Sequence, residues 1–570
     1  MLGFPVFVLR RLFWLIGNLT RRMKKAPDYV VFILEGEYPE LRRPRAGFLR
    51  KRLFPDPRIS LEELGERFRA VREDPRVTGV VLHLRSLKIS TAQAQTIRDF
   101  IGELRSSGKR VVAWSSSYDN TRYYIAAAAD EILLQNGGEA SPVGLRATFM
   151  FLADALERIG VKADFVQISP YKSAGDALMR SSMSDEAREM SNWLIDAYYD
   201  DFIQAVAAGR NLDENEAKAL VDGAPYTDLQ ALDSRVVDRL ISEEDLPIHL
   251  GAGLGSGEKA ARLVAWDTAR RQLLRPPLTP RGRYVALIRI EGPIIDGRSQ
   301  QPPFKSPLPL PLASGPRCGD LTVVHQVRKA LADRRAAAVL LYVDSPGGSA
   351  FASEAIAAAL QKVADKKPLV AAMGSVAASG GYYVCTPAHW ISAQPGTLTG
   401  SIGVLSGKVI TGGLWDKLLF HREHMNRGLH SEMLGSDRPF NDEERKTVWD
   451  SIQRVYDVFL DRVSAGRNLS PDTAESVAGG RVWTGSQALE RGLVDELGGL
   501  EAGLAKARQL AGLNPRAPVR EVPAPRGDVP PPVPDPAAFI TYALEGLEMF
   551  AGGKALLLCD LFDMDAGHYL

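Results

Sequence analysis

The chain has 570 residues, 45% of them hydrophobic and 24% charged, too long for a single core and ordinary for a folded protein of several domains. A formal net charge of +1 leaves no basic excess to neutralise phosphates, which argues against a nucleic-acid partner. Three widely spaced cysteines, Cys318, Cys385 and Cys559, offer neither a disulfide framework nor zinc-ligand spacing, and the eight histidines form no H-E-x-x-H pattern, so no metal and no other cofactor is expected.

Residues 1–27 form the first segment. Leu2–Leu9 and Leu12–Ile16 are apolar, interrupted by Arg10-Arg11 and followed by Arg21, Arg22, Lys24 and Lys25. No uninterrupted run reaches the ~20 residues of a membrane span, and no small-residue cleavage site follows. On a helix, Arg10, Arg11, Asn18, Arg21, Arg22 and Lys25 gather near one face with Trp14 intruding, while Phe7, Leu9, Phe13, Leu15 and Ile16 occupy much of the rest. The pattern predicts a helix lying on anionic lipid; packing on the protein body and a degenerate membrane span are the alternatives.

The remainder is written twice. Val80-Val81-Leu82-His83-Leu84 resembles Val339-Leu340-Leu341-Tyr342-Val343 at an offset of 259 residues, which also carries Tyr123-Tyr124 onto Tyr382-Tyr383, Gln135 onto Gln394 and Gly144 onto Gly403. After a two-residue deletion, Gly209-Arg210-Asn211-Leu212 matches Gly466-Arg467-Asn468-Leu469. Register held over so long a stretch marks a tandem duplication, with repeats at 28–274 and 284–510 joined by a proline-bearing linker at 275–283.

Each repeat alternates short apolar, β-branched runs with helical patterns. In the second, Tyr284–Ile290, Ala338–Val343 and Leu369–Met373 read as buried strands, and Leu321–Asp333 and Ala352–Ala364 as helices. That alternation predicts α/β layers with largely parallel strands. Gln300–Pro316 reads as a proline-rich loop. Residues 511–537 form a proline-rich tail, poorly ordered over Pro515–Pro536, and 538–570 an apolar segment for docking on the body, a membrane or a partner.

The chemistry lies where the repeats disagree. Strand Leu369–Met373 runs into Gly374-Ser375-Val376-Ala377-Ala378-Ser379-Gly380-Gly381-Tyr382-Tyr383, which puts Ser379 at a helix N-terminus where N–H groups stabilise an oxyanion. The preceding strand ends in Asp344-Ser345-Pro346-Gly347-Gly348-Ser349, a turn that admits close backbone approach. Taken singly, both are ordinary turns; on adjacent strands they favour a site. In the first repeat, Asn120 stands opposite Ser379, and Leu87-Lys88-Ile89 opposite the P-G-G turn. That repeat instead carries Ser169-Pro170-Tyr171-Lys172-Ser173-Ala174-Gly175 after the strand-like Phe165–Ile168, and the counterpart of Lys172 in the second repeat is Ser431. One repeat holds a candidate nucleophile, the other a candidate base.

G-S-V-A-A-S-G-G-Y-Y, D-S-P-G-G-S, T-L-T-G-S-I-G and Y-K-S-A together resemble the long, duplicated form of signal peptide peptidase A, the protease IV family, over residues 28–510. The resemblance implies a tandem duplication of Clp-protease/crotonase-like α/β domains, and a serine endopeptidase with a Ser–Lys dyad that degrades remnant signal peptides through an acyl-enzyme. By motif, Ser379 is the nucleophile and Lys172 the general base. Ser401 of T-G-S-I-G orients the base, and Gly347, Gly348 and Gly380 line the oxyanion hole. The resemblance further implies a homotetramer at the cell inner membrane, held by a single N-terminal anchor or interfacial helix. The chemistry is coherent by itself: a serine hydroxyl needs an adjacent base, and a lysine, with a free pKa of ~10.4, becomes one when burial favours its neutral form.

Three rivals share the same residues. One is a crotonase-type acyl-CoA enzyme using backbone N–H groups and carboxylates, and another a non-catalytic membrane scaffold with vestigial sites. The third is a Ser–His–Asp hydrolase using His389, although no G-x-S-x-G elbow surrounds Ser379.

Overall fold

The structure, a computed structural model, describes residues 3–42, 59–252, 260–276, 278, 282–302, 315–525, 542 and 556–558. The chain divides into two compact units, one built from residues up to Arg146 and from Asp196–Arg281, the other from Ala147–Ile195 and Gly282–Asp563.

In the first unit, strands β1 (Tyr29–Gly36), β2 (Gly79–Leu87), β3 (Arg110–Tyr118) and β4 (Glu131–Ala140) are parallel neighbours in that order. Val80–Leu84 is buried throughout, as expected of a central parallel strand covered on both faces. Its core takes Leu64 and Phe68 from helix α2 (Leu61–Arg72) and Ile97, Phe100 and Ile101 from α3 (Thr91–Ser106). Ser60 caps α2, and Ser90 with Gln93 forms a capping box on α3, so both crossovers begin where the sequence supplies an N-terminal acceptor. The chain then passes through helix α4 (Asn120–Ala126) into β4.

N-terminal helix α1 (Gly3–Arg22) belongs to this unit. Trp14 Nε1 donates to Pro276 O at 2.8 Å, Asn18 Nδ2 to Arg275 O at 3.1 Å, and Arg21 Nη1 to Arg270 O at 2.9 Å. The tryptophan that intrudes on the polar face is therefore one of its docking residues. Leu12, Phe13, Leu15, Ile16 and Leu19 are all more than half exposed. Among the described residues no helix is long and apolar enough to cross a membrane, so the single-anchor expectation has no support in α1.

The second unit repeats the layout. Strand β5 (Lys162–Gln167) comes from the first sequence repeat; β6 (Tyr284–Glu291), β7 (Ala336–Ser345), β8 (Gly347–Ser349), β9 (Leu369–Ala378), β10 (Leu398–Gly400) and β11 (Leu405–Ile410) come from the second. Strands β6, β7, β9 and Trp390–Ala393 are parallel in the order of β1–β4. Helices α6 (Asp320–Ala332) and α7 (Ala350–Ala364) pack into the core with Val323, Val327, Ile356 and Leu360; α5 (Asp185–Arg210) carries the chain back toward the first unit. The architecture is thus a duplicated α/β fold with parallel sheets.

A second sheet of this unit runs Cys318–Gly319, Ile294–Ile295, β8, β12 (Leu556–Leu558), β11, β5 among the described residues. Antiparallel pairing of β5 with β11 joins Gln167 to Leu405 and Lys162 to Ile410. Residues of the first repeat are thereby built into the unit formed mainly by the second.

Two expectations shift. Leu369–Met373 is the start of a strand that continues to Ala378, because the small residues 374–378 permit a bulge rather than ending it. Pro515–Pro536 is not wholly a loose tail: Val519–Glu521 pairs in parallel with β6 at the sheet edge, where the neighbouring prolines remove no ladder bond. Residues 526–536 lie outside the described residues, as do 303–314 of the proline-rich loop.

Candidate active site

β9 carries the chain to Ser379, which has φ 56° and ψ −116° and is followed by the short helix α8 (Gly380–Tyr383). Positive φ in a non-glycine residue is a strained conformation that its surroundings must enforce. Here the Ser379 N–H donates to Gly400 O at 2.7 Å, and the Tyr383 N–H donates to Ser379 O at 2.8 Å. Ser379 is fully buried.

Lys172 follows β5 and is 1% exposed. Its Nζ lies 2.8 Å from Ser379 Oγ, 2.9 Å from Ser401 Oγ and 2.9 Å from Ser401 O. Burial disfavours an ammonium, and the hydroxyl and carbonyl acceptors orient the nitrogen. Ser401, itself at φ 49°, is fixed by its N–H donating to Arg481 O at 2.7 Å.

The expected glycines converge on the same place. Gly347 and Gly348 have φ of 100° and 149°; a Cβ on Gly380 would lie 3.1 Å from Gly347 Cα and 3.2 Å from Gly348 N, and one on Gly348 would meet Ile294 O at 2.0 Å. Side chains are excluded there by backbone contact. Ser379, Lys172, Ser401, Gly347, Gly348 and Gly380 thus form one cluster. Asn120 and Ser431 do not join it: the former begins a helix of the first unit and donates from Nδ2 to Gly144 O, and the latter is an exposed loop residue whose Oγ donates to Gly428 O. His389 also stays away, its Nδ1 accepting from the Leu369 N–H at the far end of the ten-residue β9. Cys318 and Cys385 are separate buried thiols, and Cys559 lies outside the described residues.

Three supports were not singled out in the sequence. Gly480, at φ 86°, packs so tightly that a Cβ would meet Lys172 N at 2.6 Å and Lys172 Cα at 2.7 Å; the Gly479-Gly480 pair was its only local signal. Trp193 stacks on Trp483 with centroids 5.0 Å apart, donates from Nε1 to Val482 O, and stacks on Tyr171, the neighbour of Lys172, at 6.0 Å. Asp344 Oδ1 accepts from the Val376 N–H at 3.0 Å across the β7–β9 register shift, which holds the bulge that feeds the Ser379 turn. Burial, with Glu291 adding repulsion, pushes the Asp344 carboxyl up to about 6.

The model of the family described as peptidase family S49 matches residues 103–250 and 361–514, one segment in each repeat. The chain is 31% identical over 478 residues to the serine protease SPPA, chloroplastic, of Arabidopsis thaliana, covering 83% of this chain and 69% of that protein. It is 33% identical over 466 residues to protease 4 of Haemophilus influenzae (77% and 71% covered) and 31% identical over 467 residues to protease 4 of Salmonella typhi (80% and 72% covered). Two matched segments in a twofold-repeated α/β chain, with relatives spanning both repeats, lead to one conclusion: the chain belongs to peptidase family S49 and is a serine endopeptidase.

Proposed function

We propose that this endopeptidase works through a Ser379–Lys172 dyad and an acyl-enzyme, on remnant signal peptides and similar apolar peptides at a membrane. The observation that carries the reading is the 2.8 Å contact between a buried lysine nitrogen and a buried serine hydroxyl. Neutral Lys172 takes the Ser379 proton as Oγ attacks the scissile carbonyl. The oxyanion is held by backbone N–H groups near Gly348 and Gly380, and the resulting ammonium protonates the leaving amine. Water, deprotonated by the same amine, then releases the acyl group. Ser401 keeps the nitrogen aimed at Oγ through both steps.

The test is hydrolysis of a fluorogenic apolar peptide by wild type, Ser379→Ala and Lys172→Ala, with intact-mass detection of a +acyl adduct from an ester substrate. Activity and adduct are expected in wild type alone; hydrolysis by Ser379→Ala overturns the reading.

For the membrane, the support is α1, docked by Trp14, Asn18 and Arg21 with Leu12, Phe13, Leu15, Ile16 and Leu19 turned outward. Such a helix binds a lipid surface by burying its apolar face. Co-sedimentation with anionic vesicles is expected for wild type and lost when Phe13, Ile16 and Leu19 are changed to serine. The family resemblance adds a homotetramer, which sedimentation velocity checks.

A further inference from the structure

Residues 478–484 touch both Ser401 and Lys172. Strand Val482–Thr484 pairs antiparallel with β10, Gly400 opposite Val482 and Leu398 opposite Thr484. The pairing continues past the strand end: the Ser401 N–H donates to Arg481 O and the Gly480 N–H to Ile402 O, each at 2.7 Å. The same stretch backs the lysine, because a Cβ on Gly480 would lie 2.6 Å from Lys172 N. Gly479 and Gly480, at φ 66° and 86°, occupy backbone conformations that favour glycine, and glycine has no side chain with which to hold a turn closed.

The next residue does hold it. Arg481 Nη1 donates to Ala478 O at 3.0 Å, bridging the turn, and the Arg481 guanidinium carbon sits 4.2 Å from the centroid of the Tyr171 ring. Tyr171 immediately precedes Lys172. Its hydroxyl donates to Glu189 Oε2 at 2.6 Å, and its ring stacks on Trp193 of α5. The charged and titratable groups at this stack are Arg481, Glu189 and the Tyr171 hydroxyl. Helix α5 also covers the outer edge of Val482–Thr484, where the Val482 N–H donates to Met190 Sδ at 3.3 Å. A planar guanidinium can lie on an aromatic face while donating in its own plane, which a lysine ammonium cannot do.

We propose that Arg481 is a positioning residue for the Ser379–Lys172 dyad: bridged to Ala478 O and laid on Tyr171, it clamps the 478–481 turn onto the lysine loop and so fixes where Lys172 and Ser401 stand. This rests on the dyad reading above and adds to it the side chain that keeps the base in place. Arg481 acts through Tyr171, Gly480 and the Ser401 backbone, not on the reacting atoms. A turn released from the lysine loop admits water to the amine, and a better-solvated amine keeps its proton to higher pH. Loss of the clamp therefore changes the pH at which the base becomes available as well as the rate.

The test uses full-length protein and a fluorogenic apolar peptide, with kcat and KM followed across pH. Arg481→Met keeps the stem and removes both contacts; it is expected to lower kcat near neutral pH about ten-fold or more with KM within about two-fold, and to move the acidic limb of kcat/KM up by about one pH unit. Arg481→Lys, which keeps a cation over the ring, should recover part of both effects. Arg481→Met/Tyr171→Ala should be no worse than the poorer single variant, because the two side chains act as one unit. A second arm needs no hydrolysis: hydrogen-exchange mass spectrometry compares Ser379→Ala with Ser379→Ala/Arg481→Met. Exchange at least about five-fold faster over residues 169–173 and 400–403, with β7 unchanged, supports the clamp even if Ser379→Ala still cleaves and the dyad reading falls. Unchanged exchange in those two stretches, or a rise shared equally by β7, overturns the proposal. So does an unmoved acidic limb in Arg481→Met when Ser379→Ala is inactive.

Discussion

The strand-to-helix junction after β3 and the one after β9 descend from the same repeat, yet only one is strained. After β3, Asp119 is an ordinary N-cap accepting from the Arg122 N–H, and Asn120 is the first residue of a seven-residue helix, its Nδ2 donating to Gly144 O at 2.5 Å. After β9, Ser379 is forced to φ 56° and the helix lasts four residues. The acid beneath the turn differs as well: the partly buried Asp344 of the second unit corresponds to Arg85, an exposed residue 3.7 Å from Glu35. The first junction relaxes into a capped helix, whereas the second keeps its strain because the surrounding hydrogen bonds hold Ser379 there.

The largest effect that separates the two junctions is catalytic. Ser379→Ala is expected to lower kcat/KM for peptide hydrolysis by roughly 10⁴-fold or more, and Asn120→Ala to leave it unchanged. Lys172→Arg should be as inactive as Lys172→Ala, since a guanidinium stays protonated and cannot act as a base. Activity retained in Lys172→Arg would show that the lysine serves as a charge and not as a base.

Next comes packing around the lysine. Gly480→Ala adds a Cβ at 2.6 Å from Lys172 N, at a φ of 86° that alanine resists. It should cost about 1–3 kcal/mol of unfolding free energy and a further loss of kcat, read by denaturant titration and steady-state kinetics.

Asp344 provides a smaller, pH-dependent effect. Its folded pKa of about 6 lies above the ordinary 3.8, so the native state binds the proton more tightly than the unfolded chain. Its contribution is fully present below pH ~4 and is lost as pH rises through 6, amounting to at most about 3 kcal/mol. Calorimetry from pH 4 to 7 should show wild type losing stability relative to Asp344→Asn across that window. A constant difference would mean that the carboxyl keeps the same proton in both states.

The smallest effect is conformational. Ser379→Gly should raise the unfolding free energy by about 1 kcal/mol by relieving a positive φ, whereas Asn120→Gly should lower it by about 0.5–1 kcal/mol because that residue is helical. Equal changes in thermal melts would remove the distinction between the junctions.

Much of the site was legible in the sequence because duplication supplies its own control. Opposite Ser379 stood Asn120, opposite Lys172 stood Ser431, and those mismatches singled out two residues that the structure brings within 2.8 Å of each other. The strand cores at Tyr284–Ile290 and Ala338–Val343 and helices Leu321–Asp333 and Ala352–Ala364 followed from local periodicity, and the structure places elements there. The supporting roles of Gly480, Trp193 and Asp344 escaped because each acts on a residue distant in sequence or through a bulge, and no periodicity records such contacts.

The amino-acid order by itself determined the twofold repeat, the parallel α/β layers and the residue types of the cluster, since these rest on local hydrophobic pattern and on comparison of one repeat with the other. Only the tertiary structure decided that Lys172 meets Ser379, through antiparallel pairing of β5 with β11, and that Leu556–Leu558 lies beside them. Strand pairing joins backbone groups that every residue carries, so its partners are chosen by the closing of the whole sheet and not by any local sequence signal.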